Sequence, residues 1–392
     1  MRILIINDMY TVGGATKALL ELVLKLKENG HEPIVCTSVH NDFNALLDLH
    51  NITNLPIGHF CVMDSIAPRD PLRLIKYLYK KMKYLLSRNN AVRVIENEVD
   101  LKSIDVIHTN SIRNDIGCML FRKYGIPHVM HVREFGQEDF SCAVFRPNYY
   151  QYLNNSCSVL LAVSDAVRKS LIRKGINEGI IRTLYDGVDF SDFIVKENYQ
   201  NADELLKLVI VGGICETKGQ QIAVKALSFI PDNIREKVIL DIIGWSNPKD
   251  LCSLTRLISE LHLDKNVKIL GERKDINSIL HTYQIGLMCS KCEGFGRVTV
   301  EYMYSGLGVI AADTGASPEL VKDGISGLVY HRDDAKDLAN RIITLYQKPL
   351  LLESLGRTAH KEAKEQFSSN KNYEEIVEVY KKVISVNGQE IV

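Results

Sequence analysis

Two glutamates frame the stretch Glu293-Gly-Phe-Gly-Arg-Val-Thr-Val-Glu301, with seven residues between them. Gly294 and Gly296 permit a tight backbone turn and a close approach to a ligand. An apolar helical pattern follows (Val298, Val300, Met303), so a helix opens near Arg297 with free N–H groups and the positive end of its dipole. Such a start suits a diphosphate or sugar oxygens. Glu293 falls in the loop before the helix and Glu301 one turn inside it, so both can face one ligand without stacking. Taken alone, the same residues could be two surface glutamates flanking a turn.

Other loops carry matching chemistry. Val211-Gly-Gly-Ile-Cys-Glu-Thr-Lys-Gly219 follows a strand pattern and precedes a helical one, which puts Lys218 in a strand-to-helix loop. A lysine there offers a mobile point charge to phosphate. Gly13-Gly14 holds the equivalent place near the N-terminus, and Asp313-Thr-Gly-Ala-Ser-Pro-Glu319 forms a further glycine loop. None matches G-x-G-x-x-G or G-x-x-x-x-G-K-[ST], so dinucleotide and ATP readings lose their main support. His131, in Val-Met-His-Val-Arg-Glu-Phe135, ends a strand and is expected to point toward a cleft, with Arg133 and Glu134 next to it. His108 ends the preceding strand and is a weaker candidate. A lone histidine in such a place is more often structural. Cys289 and Cys292 have C-x-x-C spacing, but zinc needs about four ligands and no second pair accompanies them. Cys289 reads better as a strand-end residue.

These loops need strands and helices to hold them. Short β-branched runs alternate with helical patterns, the signature of parallel sheets covered by helices. The expected strands are 3–7, 33–37, 104–109, 127–132, 159–163 and 180–184, then 207–212, 238–243, 267–270, 285–289 and 309–311. A helix is expected over 15–27, with Leu19, Leu22, Val23 and Leu26 on one face and Asn29-Gly30 as its stop. The fold class is therefore α/β, with two Rossmann-like αβα domains facing a central cleft. The expected domains are 1–185, an interdomain linker over 186–206, and 207–370. A C-terminal helix over 371–392 is expected to pack back toward the N-terminal domain.

At 392 residues, 46% hydrophobic and 24% charged, the chain can support two cores. Lys plus Arg and Asp plus Glu both number 48, which argues against a nucleic-acid binder. The opening apolar run is too short for a signal-peptide core, and no run approaches the roughly 18 residues that span a bilayer. The nine cysteines lack a pairing rhythm. A cytoplasmic protein with reduced thiols is expected. Residues 69–93 are the charge anomaly: Arg69, Arg73, Lys76, Lys80, Lys81, Lys83, Arg88 and Arg93 stand against Asp70, interleaved with Leu, Ile, Met and Tyr. Either this is a basic helix docking on the inner face of the plasma membrane, or it is a solvated face whose tyrosines cover their own domain.

In order and spacing these motifs resemble the family 4 glycosyltransferases of GT-B architecture, over nearly the whole chain. The likeness also takes in Ala-Val-Ser-Asp165, Tyr-Asp-Gly-Val-Asp189 and Pro318-Glu319 before Asp323-Gly-Ile-Ser-Gly327. The resemblance implies a retaining hexosyl or N-acetylhexosaminyl transfer from a nucleotide sugar to a saccharide or lipid-linked saccharide, in cell-surface polysaccharide or glycoconjugate synthesis. Uridine diphosphate is the implied carrier, with guanosine diphosphate next. A sugar-nucleotide epimerase of the same architecture, or a transferase acting on a protein, is the alternative. The resemblance further implies that Glu301 holds the ribose, Glu293 contacts the transferred sugar and Lys218 neutralises the diphosphate. The amides of Gly294, Phe295, Gly296, Arg297 and Val298 lie along the donor, Gly271 and Arg273 lie near the base, and Gly13 and Gly14 close on the phosphates. His131 would contact the donor sugar or shape the reaction centre, with Arg133 and Glu134 as acceptor-side candidates. No cofactor is expected, and no D-x-D pair is present to hold a metal. The family's arginine five residues before the lysine is here Gly213. Either Arg297 replaces that cation, or it pairs with Glu293 or Glu301.

Overall fold

Runs such as Ile3-Leu4-Ile5-Ile6, every residue fully buried, can only form strands covered on both faces, because an amphipathic helix would expose part of them. The computed structural model describes residues 1–8, 13–64, 71–136, 138, 142–199 and 205–389. Two units result: Met1–Gly187 with Ser369–Val392, and Val188–Ser368.

The first unit holds β1 (Arg2–Asn7), β2 (Glu32–Thr37), β3 (Thr53–Pro56), β4 (Met63–Asp64), β5 (Val106–Thr109), β6 (His128–Val132), β7 (Ala143–Val144), β8 (Val159–Ala162) and β9 (Ile181–Thr183). Seven of these form one parallel sheet in the order β3-β2-β1-β5-β6-β8-β9, while β4 and β7 make a separate antiparallel pair. Helices α1 (Gly14–Glu28), α2 (Asp42–Leu49), α3 (Pro71–Glu98), α4 (Ile116–Tyr124), α5 (Tyr149–Asn154) and α6 (Asp165–Arg173) flank the sheet.

The second unit carries β10 (Leu206–Val211), β11 (Val238–Ile243), β12 (Val267–Gly271), β13 (Ile285–Met288), β14 (Gly308–Ala312) and β15 (Leu328–Tyr330), parallel in the order β12-β11-β10-β13-β14-β15. Its longer helices are α7 (Gln220–Ser228), α8 (Pro248–Glu260), α9 (Arg297–Tyr304), α10 (Ala335–Gln347) and α11 (Pro349–Gln366). The order reverses between β10 and β13, so the loops after them flank a topological switch point, where open α/β sheets bind ligands.

β3 and β15 were not expected from the sequence, and both are edge strands. Thr53-Asn-Leu-Pro56 is polar and ends in proline, which an edge tolerates and an interior does not. β15 has three residues, too few for a period.

The chain enters the second unit as an extended strap. Val188 N donates to Phe367 O at 2.8 Å, and Lys196 N to Ser305 O at 2.9 Å. The Phe190 ring stacks on Tyr304 with centroids 3.8 Å apart. These contacts are tertiary and aperiodic, which is why the stretch carries no helix or strand pattern.

The last helix, α12 (Ser369–Gln389), belongs to the first unit. Ile376, Val377, Val379, Tyr380 and Val383 join Leu19, Leu22 and Val23 of α1 in one core cluster. Tyr380 is fully buried, and its hydroxyl lies 2.6 Å from His108 Nδ1. Tyr380→Ala is expected to lower first-unit stability by about 3–5 kcal/mol, and Tyr380→Phe by about 1 kcal/mol. Hydrogen exchange resolved by peptide should place the loss in residues 1–187 and leave 188–368 protected.

Candidate functional site

In the second unit the loops after β10, β13 and β14 close on one another because three glycines let them. Gly219 has φ +73°, and a Cβ there would stand 2.1 Å from Cys289 O. Gly315 has φ +55°, and its Cβ would stand 2.3 Å from Glu293 O. Gly296, at φ +88°, ends the loop and caps α9 with no side-chain hydrogen bond. The N-cap residue of α9 therefore has no side chain with which to cap the helix start.

Two crossed ion pairs lock the first two loops together. Lys218 Nζ lies 2.9 and 3.2 Å from the Glu293 oxygens, and Lys291 Nζ lies 2.6 Å from Glu216. Between them Lys291 N donates to Thr217 O at 2.9 Å. Ala316 N donates to Glu293 O at 2.9 Å, which ties in the third loop. Lys218 and Glu293, 75 positions apart, are thus brought together, with Glu293 only 18% exposed. Phe295 is buried edge-on against Phe367, and Arg297 is buried at 8% exposure. Gly294, Val298 and Glu301 are half-buried. Thr299 is fully buried one turn from Gly296, and its hydroxyl makes no hydrogen bond.

Sequence reading missed the parts that fix this arrangement. Tyr302, fully buried, accepts Val211 N at 2.7 Å and fills the space a Cβ on Gly286 would need. It binds the end of β10 to α9. Gln220 folds back so that its side-chain nitrogen donates to Gly213 O at 3.1 Å. Gly244, at φ +157°, lets β11 pass Gly212, where a Cβ would meet Gly212 O at 2.0 Å. Its N–H donates to Gly271 O at 2.8 Å. Trp245, the single tryptophan, follows and is 63% exposed, while its carbonyl accepts Ile214 N at 2.8 Å. Apart from Gln220, seven residues from Gly213, these partners are distant in sequence, and only the glycines left a local mark. Arg273 is held in a two-point pair with Asp275, at 2.9 and 2.5 Å. Gly213 is open: a Cβ there would meet nothing nearer than Trp245 O at 3.8 Å.

In the first unit the strand ends gather a buried polar layer. Arg133 Nε donates to Asn110 Oδ1 at 2.6 Å, Nη1 pairs with Asp186, and Nη2 lies 3.4 Å from His131 Nδ1. Glu134, 4% exposed, accepts from Ser111 Oγ at 2.7 Å. His131 is fully buried, its ring 5.5 Å from that of His108, and its Nε2 has no hydrogen-bond partner. His131 is thus enclosed at the end of β6, beside Arg133 and His108. Burial, then the Arg133 charge, holds the His131 imidazole well below its ordinary range and pushes His108 down to about 3. Both rings are neutral at pH 7. Gly13 and Gly14 are exposed at the α1 start, and no side chain caps that helix.

Among the described residues, one group of metal-ligating side chains lies close together: Cys118, His128 and Cys157, all buried, with ligand atoms within 4.8 Å. Both His128 nitrogens are already occupied, by Thr109 Oγ1 at 2.8 Å and Ser156 O at 2.9 Å. Cys289 stands apart from this group. Burial pushes its thiol up to about 12.

Residues 12–192 match the model described as Glycosyltransferase Family 4, and residues 193–362 match Glycosyl transferases group 1. The chain belongs to the family 4 glycosyltransferases. A glycosyltransferase of Methanocaldococcus jannaschii is 23% identical to it over 388 residues, covering 98% of this chain and 99% of that one. The N-acetyl-alpha-D-glucosaminyl L-malate synthase of Bacillus anthracis is 25% identical over 210 residues, 52% of this glycosyltransferase and 54% of that enzyme. Among solved structures, HepE of Anabaena in complex with UDP-glucose superposes with a TM-score of 0.77 at 22% identity, covering 97% of this chain and 100% of HepE. The fold of this glycosyltransferase is GT-B.

Two predictions concern the site's construction. Gly219→Ala and Gly315→Ala should each cost about 2–4 kcal/mol through strain and displaced backbone. Gly213→Ala should change stability by no more than about 0.5 kcal/mol. Urea midpoints of the three variants check this. The second concerns pH. His108 ordinarily titrates at 6.5 and here at about 3, so the unfolded chain binds the extra proton and stability falls as pH drops through that window. By pH 5 the buried ring has cost about 2 kcal/mol. His108→Asn should therefore flatten the difference in unfolding free energy between pH 7 and pH 5 by about that amount.

Proposed function

We propose that this glycosyltransferase moves a hexosyl or N-acetylhexosaminyl unit from a UDP-linked donor to a saccharide or lipid-linked saccharide, with retention and without a metal. The setting is cell-surface polysaccharide or glycoconjugate synthesis on the cytoplasmic side. The observation that carries this is Lys218 and Glu293 held together beside the uncapped start of α9. Solved relatives of the same fold, HepE and TarM, carry UDP or UDP-glucose, which supports the choice of nucleotide.

The second unit binds the donor. Lys218 turns from Glu293 to the diphosphate, the α9 amides of Gly296, Arg297 and Val298 meet phosphate and sugar oxygens, and Glu301 takes the ribose hydroxyls. Gly271 and Arg273 flank the base. Released from Lys218, Glu293 accepts hydrogen bonds from the sugar hydroxyls. In the first unit, the exposed Gly13 and Gly14 at the start of α1 are the phosphate-binding candidates, and His131, Arg133 and Glu134 at the end of β6 are the acceptor-side candidates. The acceptor oxygen forms a bond to the anomeric carbon on the face the diphosphate leaves. The carbon–oxygen bond to the phosphate breaks, and the departing phosphate oxygen takes the acceptor's proton. Stabilising that leaving group is the main electrostatic task.

Gly213 leaves the site one cation short of the family pattern, and we assign Arg297 to replace it. Arg297→Ala should weaken UDP binding about tenfold or more. A Cβ at Gly213 would meet nothing nearer than 3.8 Å, and Gly213→Arg should recover much of the loss. The two variants with unchanged UDP binding would remove the assignment.

The transferase reading is tested by incubating the protein with a panel of UDP- and GDP-sugars and following slow hydrolysis, with and without a chelator. One UDP-sugar should turn over with chelator present, and Lys218→Ala should slow it about a hundredfold or more. An isomerised donor without acceptor would show an epimerase instead, and a glycosyl adduct trapped on Glu293 would overturn the direct displacement.

A further inference from the structure

The later turns of helix α3 bury Ala91, Val92 and Ile95 in the core, as an ordinary surface helix does. Its first half is reversed: the inward side is aromatic and polar, with Tyr84 fully buried and donating to Asp115 Oδ2 at 2.6 Å, and the Tyr77 ring 5.2 Å from Phe145. Its outward side is apolar. Leu72, Ile75, Leu78, Tyr79, Met82 and Leu86 are all between 51% and 74% exposed. At 100° per residue these six fall within an arc of about 120°, directly away from Tyr84. An exposed apolar patch of this kind on one element marks a surface that something covers.

Charge decides what covers it. Residues 71–95 contain seven basic side chains and no acidic one. On the helical projection Lys76 and Lys83 border one edge of the apolar arc and Lys81 the other. Lys80 lies nearer the inner side and pairs with Asp64 at 2.7 Å. A second copy docking by the same face would set these cations against each other, since a two-fold contact repeats one patch on both partners. An anionic bilayer instead meets both features at once: the apolar arc enters the acyl boundary while the bordering lysines reach lipid phosphates. No helix among the described residues is long and apolar enough to cross a membrane, so a surface contact is the mode left to α3.

We infer that α3 lies in the interface of an anionic membrane, seated by Ile75, Leu78, Met82 and Leu86 and bordered by Lys76, Lys81 and Lys83. This deepens the lipid-linked acceptor reading, because it names the surface from which such an acceptor would be reached, yet its test requires no turnover. Sedimentation of the full chain with vesicles is the measurement, using phosphatidylcholine alone and phosphatidylcholine mixed with phosphatidylglycerol. Binding should be about tenfold or more tighter to the anionic vesicles and should weaken as salt rises. Ile75→Ser, Met82→Ser and Leu86→Ser combined should lower it about tenfold or more. Lys76→Glu with Lys81→Glu should lower it by about fivefold per lysine. Melting midpoints should not move. Absence of binding to either vesicle overturns the inference, as does a triple serine variant that binds like the wild type. Dimerisation that the triple variant abolishes, without vesicle binding, assigns the face to a second copy and also overturns it. Donor hydrolysis in solution is followed on the same variants and should be unchanged. Its absence in the wild type counts against the transferase reading while leaving the vesicle result standing.

Discussion

Residue 219 has no room for a side chain, since the carbonyl of Cys289 occupies the place where a Cβ would go. That contact brings the loop after β10 onto the loop after β13, and the candidate site depends on it. Once the backbones touch, the Glu216–Lys291 and Lys218–Glu293 pairs can form in register. Both pairs are partly solvated, so each adds little stability by itself. Their value lies in orientation: a lysine and a glutamate from distant segments are held within one another's reach beside a helix start. Gly315 extends the same logic to the loop after β14.

The first unit solves a different problem. Parallel strands end in unsatisfied groups and loops, and here Asn110, Ser111, Arg133, Glu134 and Asp186 collect there under almost complete burial. Arg133 serves Asn110, Asp186 and the neighbourhood of His131 together. Buried charges of this sort must be paired, and removing one partner leaves the other costly. The C-terminal helix completes this layer through Tyr380, so the end of the chain helps set the environment of histidines more than 240 positions earlier.

The fold was legible because its strands are buried on both faces and appear as unbroken apolar runs. What escaped was at the sheet edges and in the two-residue strands of the β4–β7 pair. β3 and β15 are short, and one contains proline, so neither shows the pattern of an interior strand. Of the candidate site, the parts legible in sequence were those with a local backbone mark: the Gly296 turn into α9 and the strand-to-helix loop that carries Lys218. Tyr302 and Gly244 were not, because each works through a partner on another strand, and Gln220 was not, because its fold back onto Gly213 leaves no periodic mark. The 69–93 stretch announced its charge in sequence, with Arg69 and Asp70 outside the described residues. Which side of α3 turned outward needed the Tyr84–Asp115 bond to fix the rotation.

Trp245 sits just past the Gly212–Gly244 crossing, tethered by its carbonyl yet with its indole mostly in water. A chain with one tryptophan has one dominant intrinsic fluorophore, and here it stands next to the loop that ends in Lys218. Its emission colour and quenching therefore report on a single address, without any label, whenever the water there is displaced.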